Sequence, residues 1–462
     1  MRLKKSEIQT KVNNNLSIKF TRQDLTSYSG LEFIRRYFKI IELGRRLKEH
    51  SKDFQFRGDY PFHKMIFVII GAIILGIERL SNLSFIKDDP LVKRLCELKV
   101  LPSRQTIMRF LKSITDESLK SLVELNSELL SEHIAKLGLH TVTIDIDGTV
   151  ISNRGKPEYS AKGYNNIKRG AYSYFPLTAY LAQTGHFIKI MNRPGDVHDS
   201  NGSTEFIREL ISGLKFMLGG KIRIQIRHDS GFFSENRFKM YEKNGVEYAS
   251  KVPFWRYPIF KNNILERKQW RRIDSKTTYF FKKMKLDNWE DERLFLFVRK
   301  EKPKTEKKKE YQLDLFEPDD RSYEYSGICT NMNLSAKNLH RFMLGRSAQE
   351  KAIGELKNEF GFDKIPSNSY SANSAYLQLS TLTYNLMNSF QLEAFGDNKT
   401  FKRNLKKTRH YENRMFKKVR FFLIYKAGII TEPNGKKFVS LSNNKATKNL
   451  YETVMQNLTS VA

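Results

Sequence analysis

Apolar residues recur every three or four positions in SGLEFIRRYFKIIELGRRLKEH, residues 29–50, with arginine and lysine on the remaining face. That period is the signature of an amphipathic helix. The same texture holds over residues 1–135 and predicts a helical N-terminal region. Its most apolar run, MIFVIIGAIILGI at residues 65–77, is bounded by His63, Lys64 and Glu78. It is too short to cross a bilayer and is expected to be a buried helix. A further helix is predicted from LPSRQTIMRFLKSIT, residues 101–115, where Pro102 and Ser103 form a start signal.

The pattern changes at residue 140. In TVTIDIDGTV, Val142, Ile144 and Ile146 fall on one face and Thr143, Asp145 and Asp147 on the other, the period of a strand. Two more strand patterns follow in FPLTAYLAQ and HFIKIMN. A helix is then expected at STEFIRELISGLKFML and another strand at KIRIQIRHDSGFF. Such an order predicts an α/β core with a mixed sheet over residues 136–250. Between 251 and 330 aromatic and basic residues alternate (VPFWRYPIF, RKQWRRID, TTYFFKKMKL, RLFLFVRK), which predicts a β-rich insertion of antiparallel strands. It runs into KEKPKTEKKKEYQLDLFEPDD, read as a solvated loop. Helical periodicity returns at Ser335, so residues 331–395 are expected to complete the core. A basic C-terminal region, 396–462, opens near FKRNLKKTRHYENRMFKKVR.

Composition adds a partner. The 462 residues are 40% hydrophobic, enough for real cores, and carry a net charge of +31. A compact chain resists that much like charge unless a polyanion neutralises it. Nucleic acid does so with release of counterions, and an acidic membrane surface is the other sink. Arg104, Arg109 and Lys112 decorate the helix after Ser103, which is either an ordinary solvated face or one able to enter a DNA groove. Cys96 and Cys329 stand far apart in no C-x-x-C pattern. A disulfide framework and a classical zinc finger are excluded, and a reducing cytoplasm is expected. The polar start, MRLKKSEIQTKVNNN, has no apolar core of a signal peptide. A soluble protein follows, with no membrane partner. No G-x-x-x-x-G-K-[ST] motif is present, so ATP is not implied.

Three places offer carboxylates for chemistry. Asp145 and Asp147 share the polar face of the first strand, and Gly148 marks the strand's end, which favours Asp147 as the accessible one. Asp229 lies just past an alternating strand and Ser230-Gly231 break that strand. Open α/β sheets place ligands at such strand ends. His228 beside it is set aside as a hydrogen-bonding residue. In HRFMLGRSAQEKAIGELKNEFGF, Arg346, Glu350, Gly354 and Lys357 line one helical face. A carboxylate flanked by two cations suits a metal-and-phosphate site, although a surface salt-bridge ladder has the same spacing. Phosphodiester transfer by two metals needs a few hard oxygen ligands holding ions roughly 3.5–4 Å apart.

The segments IDIDGT (144–149), IRHDSGF (226–232) and GRSAQEKAIGELKNEFGF (345–362) together resemble a DDE transposase of the IS4-like superfamily, most closely the IS1380 family. FPLTAYLAQTGHFIKIMNRPGDVHDSNG and LPSRQTIMRF are similar to that family at corresponding places, and the resemblance runs from about residue 100 to 430. It implies a ribonuclease H-like core with Asp147, Asp229 and Glu350 as catalytic triad and ligands of two Mg²⁺ or Mn²⁺ ions per active site. The superfamily's helix motif, Tyr-x2-Arg-x3-Glu-x6-Lys, is matched by Arg346, Glu350 and Lys357, while Met343 stands at the tyrosine position. The long gap between Asp229 and Glu350 resembles the family's β-rich insertion, whose tryptophan stacks on a flipped base in relatives. Trp255, Trp270 and Trp289 are candidates, each with a core position as the plainer alternative. The reaction implied is nicking at transposon ends and strand transfer into target DNA, by a homodimer on double-stranded DNA in a bacterial cytoplasm, at the nucleoid. Arg346, Lys357, Arg104 and Arg109 would hold DNA. A catalytically inactive DNA-binding derivative and a stand-alone metal nuclease are the rivals.

Overall fold

The computed structural model describes residues 16, 18, 20–21, 23–54, 56–163, 165, 168–197, 202–220, 222–302, 322–395 and 415–460. The expected solvated loop and the opening of the basic tail lie almost wholly outside the described residues.

A two-residue strand, β1 (Leu25–Thr26), precedes six helices: α1 (Leu31–Ile40), α2 (Leu43–His50), α3 (Phe62–Ile74), α4 (Pro90–Cys96), α5 (Arg104–Ser113) and α6 (Asp116–Leu137). Their starts follow local chemistry. The Asp89 carboxylate accepts from the Leu91 and Val92 amides ahead of Pro90, the Ser103 hydroxyl accepts from Thr106, and Thr115 and Ser118 form a capping box. α6 stops at Gly138, whose φ of 60° is the left-handed conformation that glycine adopts without strain. α3, the apolar run, is buried along nearly its whole length.

The central sheet has nine strands in the order β10-β11-β12-β13-β9-β8-β2-β6-β7. They are β2 (Thr141–Gly148), β6 (Leu177–Leu181), β7 (His186–Met191), β8 (Arg223–His228), β9 (Glu247–Lys251), β10 (Arg271–Arg272), β11 (Thr277–Met284), β12 (Arg293–Glu301) and β13 (Tyr323–Thr330). β2, β8 and β9 run parallel, and every other pairing is antiparallel. Three short strands, β3 (Ile151–Ser152), β4 (Ala161–Lys162) and β5 (Tyr172–Tyr174), form a separate small sheet just after β2.

Helices cover both faces of the core. Val142, Ile144 and Ile146 enter a core shared with α7 (Ser203–Leu218), α8 (Glu235–Lys243) and α9 (Pro258–Leu265). The opposite face meets α10 (Ala336–Leu344) and α11 (Ser347–Phe360). β10 to β13, read from the sequence as an insertion, join the core through β13–β9 pairing and extend its sheet.

α12 (Tyr370–Phe395) is buried over almost every turn although it is rich in Asn, Ser and Thr. It lies along β7, the last strand of the sheet. Asn385 accepts from the Phe187 amide at 2.9 Å and donates to the Phe187 carbonyl at 2.7 Å, while Asn388 donates to Thr184 and Gln378 to Ile190. Side-chain amides thus take the place of a tenth strand and satisfy an edge that would otherwise be bare. The other side of α12 packs on α3, α5 and α6, joining the N-terminal helices to the core. The chain closes with α13 (Phe416–Val419), β14 (Gly428–Thr431), β15 (Phe438–Leu441) and α14 (Lys445–Thr459); β1 pairs with β14.

Candidate active site

β2 and β8 lie side by side and parallel, with Ile146 opposite His228, so Asp147 and Asp229 emerge together at their carboxyl ends. Asp229 caps the short turn after β8, accepting from the Ser230 amide at 2.7 Å. α11 crosses beside them and brings Arg346 and Glu350. The Arg346 guanidinium lies 2.8 Å from Asp147, 3.5 Å from Asp229 and 3.7 Å from Glu350. Two strands and a helix therefore aim three carboxylates at one buried cation. Arg346 is 5% exposed, while Asp147, Asp229 and Glu350 are 23%, 40% and 63% exposed, so the cluster opens to solvent on the Glu350 side. The Lys251 ammonium adds a second positive charge 3.9 Å from Asp229.

As they stand, no three His, Cys, Asp or Glu side chains form a ready cage for an ion among the described residues. The donor chemistry nonetheless fits Mg²⁺ or Mn²⁺: three anionic oxygen ligands share Arg346 and Lys251, which leaves negative charge in excess.

Asp145 goes elsewhere. It is fully buried, and its two oxygens accept from Arg227 Nε at 2.5 Å and Nη2 at 2.7 Å. Arg227 also donates to the Phe342 carbonyl and lies 4.8 Å over that ring. Gly345 follows closely: a Cβ there would sit 2.5 Å from Arg227 Nη1. Gln349 donates to the Asp145 carbonyl and the Thr178 hydroxyl, and Thr178 donates to the Asp147 carbonyl. These four side chains lock the α10–α11 corner onto the strands that carry Asp147 and Asp229. Sequence reasoning missed Arg227, Gln349, Thr178 and Lys251. The sequence signal for Arg227 was only a charge on an alternating strand; its place opposite Asp145 comes from the strand register.

The remaining sequence candidates scatter. Lys357 donates to the Val150 carbonyl at 2.8 Å, and burial pushes its pKa below the usual lysine range. It ties α11 to the chain just after β2. Arg104 and Arg109 lie exposed on α5, while Ile107, Phe110 and Leu111 face the core. Trp255 is 73% exposed. Trp289 is instead a core residue, packed on Phe233 and Phe238, because its indole completes the aromatic cluster under α8. Trp270 donates to the Arg267 carbonyl and stacks under Arg299. Met343, at the expected tyrosine position, is buried beside Leu339. His228 is buried against Phe238, and desolvation, with Arg237 nearby, holds its pKa well below the usual histidine range.

Several solved structures are similar to the chain at low identity. A piggyBac transposase synaptic complex with hairpin DNA shares 13% identity with a TM-score of 0.42, covering 93% of this chain and 85% of that one. The Mos1 mariner paired end complex with Mn shares 12% identity with a TM-score of 0.18, over 46% of this chain and 65% of that one. No curated protein sequence is a significant match. A family model, "Transposase DDE domain group 1", matches residues 8–462, and the chain belongs to that family.

Proposed function

We propose that this transposase works by cut-and-paste, cutting the ends of its own element and joining them to target DNA. The observation that carries the reading is the convergence of Asp147, Asp229 and Glu350 on the Arg346 guanidinium. The strand order β7-β6-β2-β8-β9, with three parallel strands next to an antiparallel pair, supports a ribonuclease H-like core. The resemblance of the motifs around the three carboxylates supports membership of the IS1380 branch.

Asp147, Asp229 and Glu350 would hold two Mg²⁺ or Mn²⁺ ions, which supply activation of the attacking oxygen and stabilisation of the leaving one. Arg346 lies within reach of the same point and would position the scissile phosphate through its planar donor fork. Lys251 adds charge on the Asp229 side. Lys357, held at Val150, keeps α11 in register. Arg104 and Arg109 on α5 suit contact with the DNA backbone, which contributes affinity without sequence information. Trp255, the exposed indole, is the side chain suited to stacking on an unpaired base. Cutting two ends calls for two subunits on double-stranded DNA, within a bacterial cytoplasm.

The test is a supercoiled plasmid carrying the element, incubated with Mg²⁺ or EDTA. Wild type should cut at the element's ends with Mg²⁺ only, and Asp147→Ala, Asp229→Ala and Glu350→Ala should each lose cutting while retaining DNA binding. Variants that cut as well as wild type would overturn the triad. Tight end binding by a wild type that never cuts would favour an inactive DNA-binding derivative.

A further inference from the structure

Immediately after Asp147 the chain leaves the central sheet and builds the small sheet β3-β5-β4. Lys162 on β4, and Arg154, Lys156, Lys168 and Arg169 in the segments joining its strands, are all exposed. Among the described residues none of these five makes an ion pair. Some of the basic side chains elsewhere are neutralised by acids: Arg45 by Glu42 and Glu49, Arg46 by Glu128 and Glu132, Lys239 by Glu290. The acid on this segment, Glu158, accepts from the Tyr370 amide at 2.9 Å.

The charges are also held together. The Lys156 and Lys162 ammonium groups lie 5.5 and 5.3 Å from the centre of one ring, Tyr172. Two cations on one ring repel each other, and an anion between them removes the penalty. Lys168 is tied to the sheet, because buried Asn165 donates to Ser152 and accepts from the Lys168 amide. The sheet has a fixed seat: a Cβ on Gly163 would lie 1.9 Å from the Gly195 carbonyl oxygen. The root of the small sheet adjoins the site: Lys357, two turns and about 10 Å along α11 from Glu350, binds Val150 just before β3.

We infer that this small sheet is a backbone clamp for duplex DNA, gripping the phosphates that flank the one held at the carboxylate cluster. The inference rests on the function proposed above and adds the surface on which the DNA lies. Phosphate contacts of this kind weaken binding to any sequence equally when lost.

Fluorescence anisotropy with a labelled random-sequence duplex, titrated across KCl concentrations, tests it. Each lost phosphate contact lowers the slope of log affinity against log salt by about 0.9. The full-length Lys156→Gln/Lys162→Gln/Arg169→Gln variant should therefore lose roughly 2 to 3 from that slope and bind about tenfold or more weakly at low salt. Its thermal midpoint should match wild type. Lys283→Gln/Lys285→Gln, at the end of β11 and just past it on the far side of the sheet, should change the slope less. A triple variant with the wild-type slope, from a protein that cuts its element's ends, overturns the clamp and leaves the proposed function standing. A wild type that binds no DNA overturns both.

Discussion

A carboxylate sealed from water needs a partner that stays charged and cannot leave, and Asp145 has one in Arg227, whose guanidinium has no way to lose its proton inside a protein. Replacing Asp145 by Asn leaves that guanidinium buried and unpaired, at a cost of about 3–5 kcal/mol in urea unfolding. The double variant Asp145→Leu/Arg227→Met removes both charges and should recover most of that loss. End cleavage should remain about 100-fold down in the double variant, because the tether from Arg227 to the Phe342 carbonyl is gone and Glu350 is misplaced. Full cleavage in the double variant would show that the pair serves stability alone. At this scale the sequence distinguished Asp145 from Asp147 only by the glycine after the latter. The physical difference is the partner: Asp145 lies opposite Arg227 within the sheet, and Asp147 lies past the last β8 partner. Periodicity carries no information about which charge lies across a strand pair, so Arg227 and Gln349 stayed hidden.

At the scale of elements, polar side chains run through the contact between β7 and α12 beside its aromatic packing. His186 sits in that contact, fully buried between Thr184 at 2.8 Å and Ser389 at 2.9 Å. Desolvation, with His133 nearby, holds its pKa well below the usual value. The folded protein therefore keeps His186 neutral where the unfolded chain takes up a proton. Its contribution is fully present above the unfolded pKa of about 6.5 and is lost as pH falls below it, at up to about 1.4 kcal/mol per pH unit. Urea unfolding between pH 5 and 7.5 should show wild-type stability falling on the acid side. His186→Gln should have a shallower fall, by one proton, and equal slopes would sink the assignment. The helices and strands themselves were readable because their periods are local: 142–147 alternates, and α5 starts at its capping serine. α12 reads as a helix too, but its Asn and Ser residues suggest a solvated face. Only the tertiary position, along a bare strand edge, explains why they are buried.

Across the whole molecule, the N-terminal and C-terminal thirds form one structure, which a reading in consecutive segments does not reveal. β1 pairs with β14, and a Cβ on Gly30 would lie 2.0 Å from the Leu423 carbonyl oxygen. Arg420 is the main joint. It is buried, donates to the carbonyls of Ile73 and Ile74 at the end of α3, and pairs with Glu359 of α11 at 2.6 Å. One side chain thus ends the most apolar helix of the N-terminal region and holds the far end of the helix that carries Glu350. Helix ends leave several carbonyls without partners, so a buried donor there is worth more than one at the surface. Arg420→Met should cost about 3–5 kcal/mol, since it strands Glu359 and the Ile74 carbonyl away from water. Hydrogen exchange distinguishes a shared joint from a local contact. Protection should drop together in the last turns of α3 and α11, which lie far apart in sequence, while the strands β11 to β13 keep theirs. Loss confined to residues 416–424 would mean that the C-terminal region merely rests on the core. Loss in both helices would mean that the fit of Glu350 to Asp147 and Asp229 depends on a residue seventy positions beyond it.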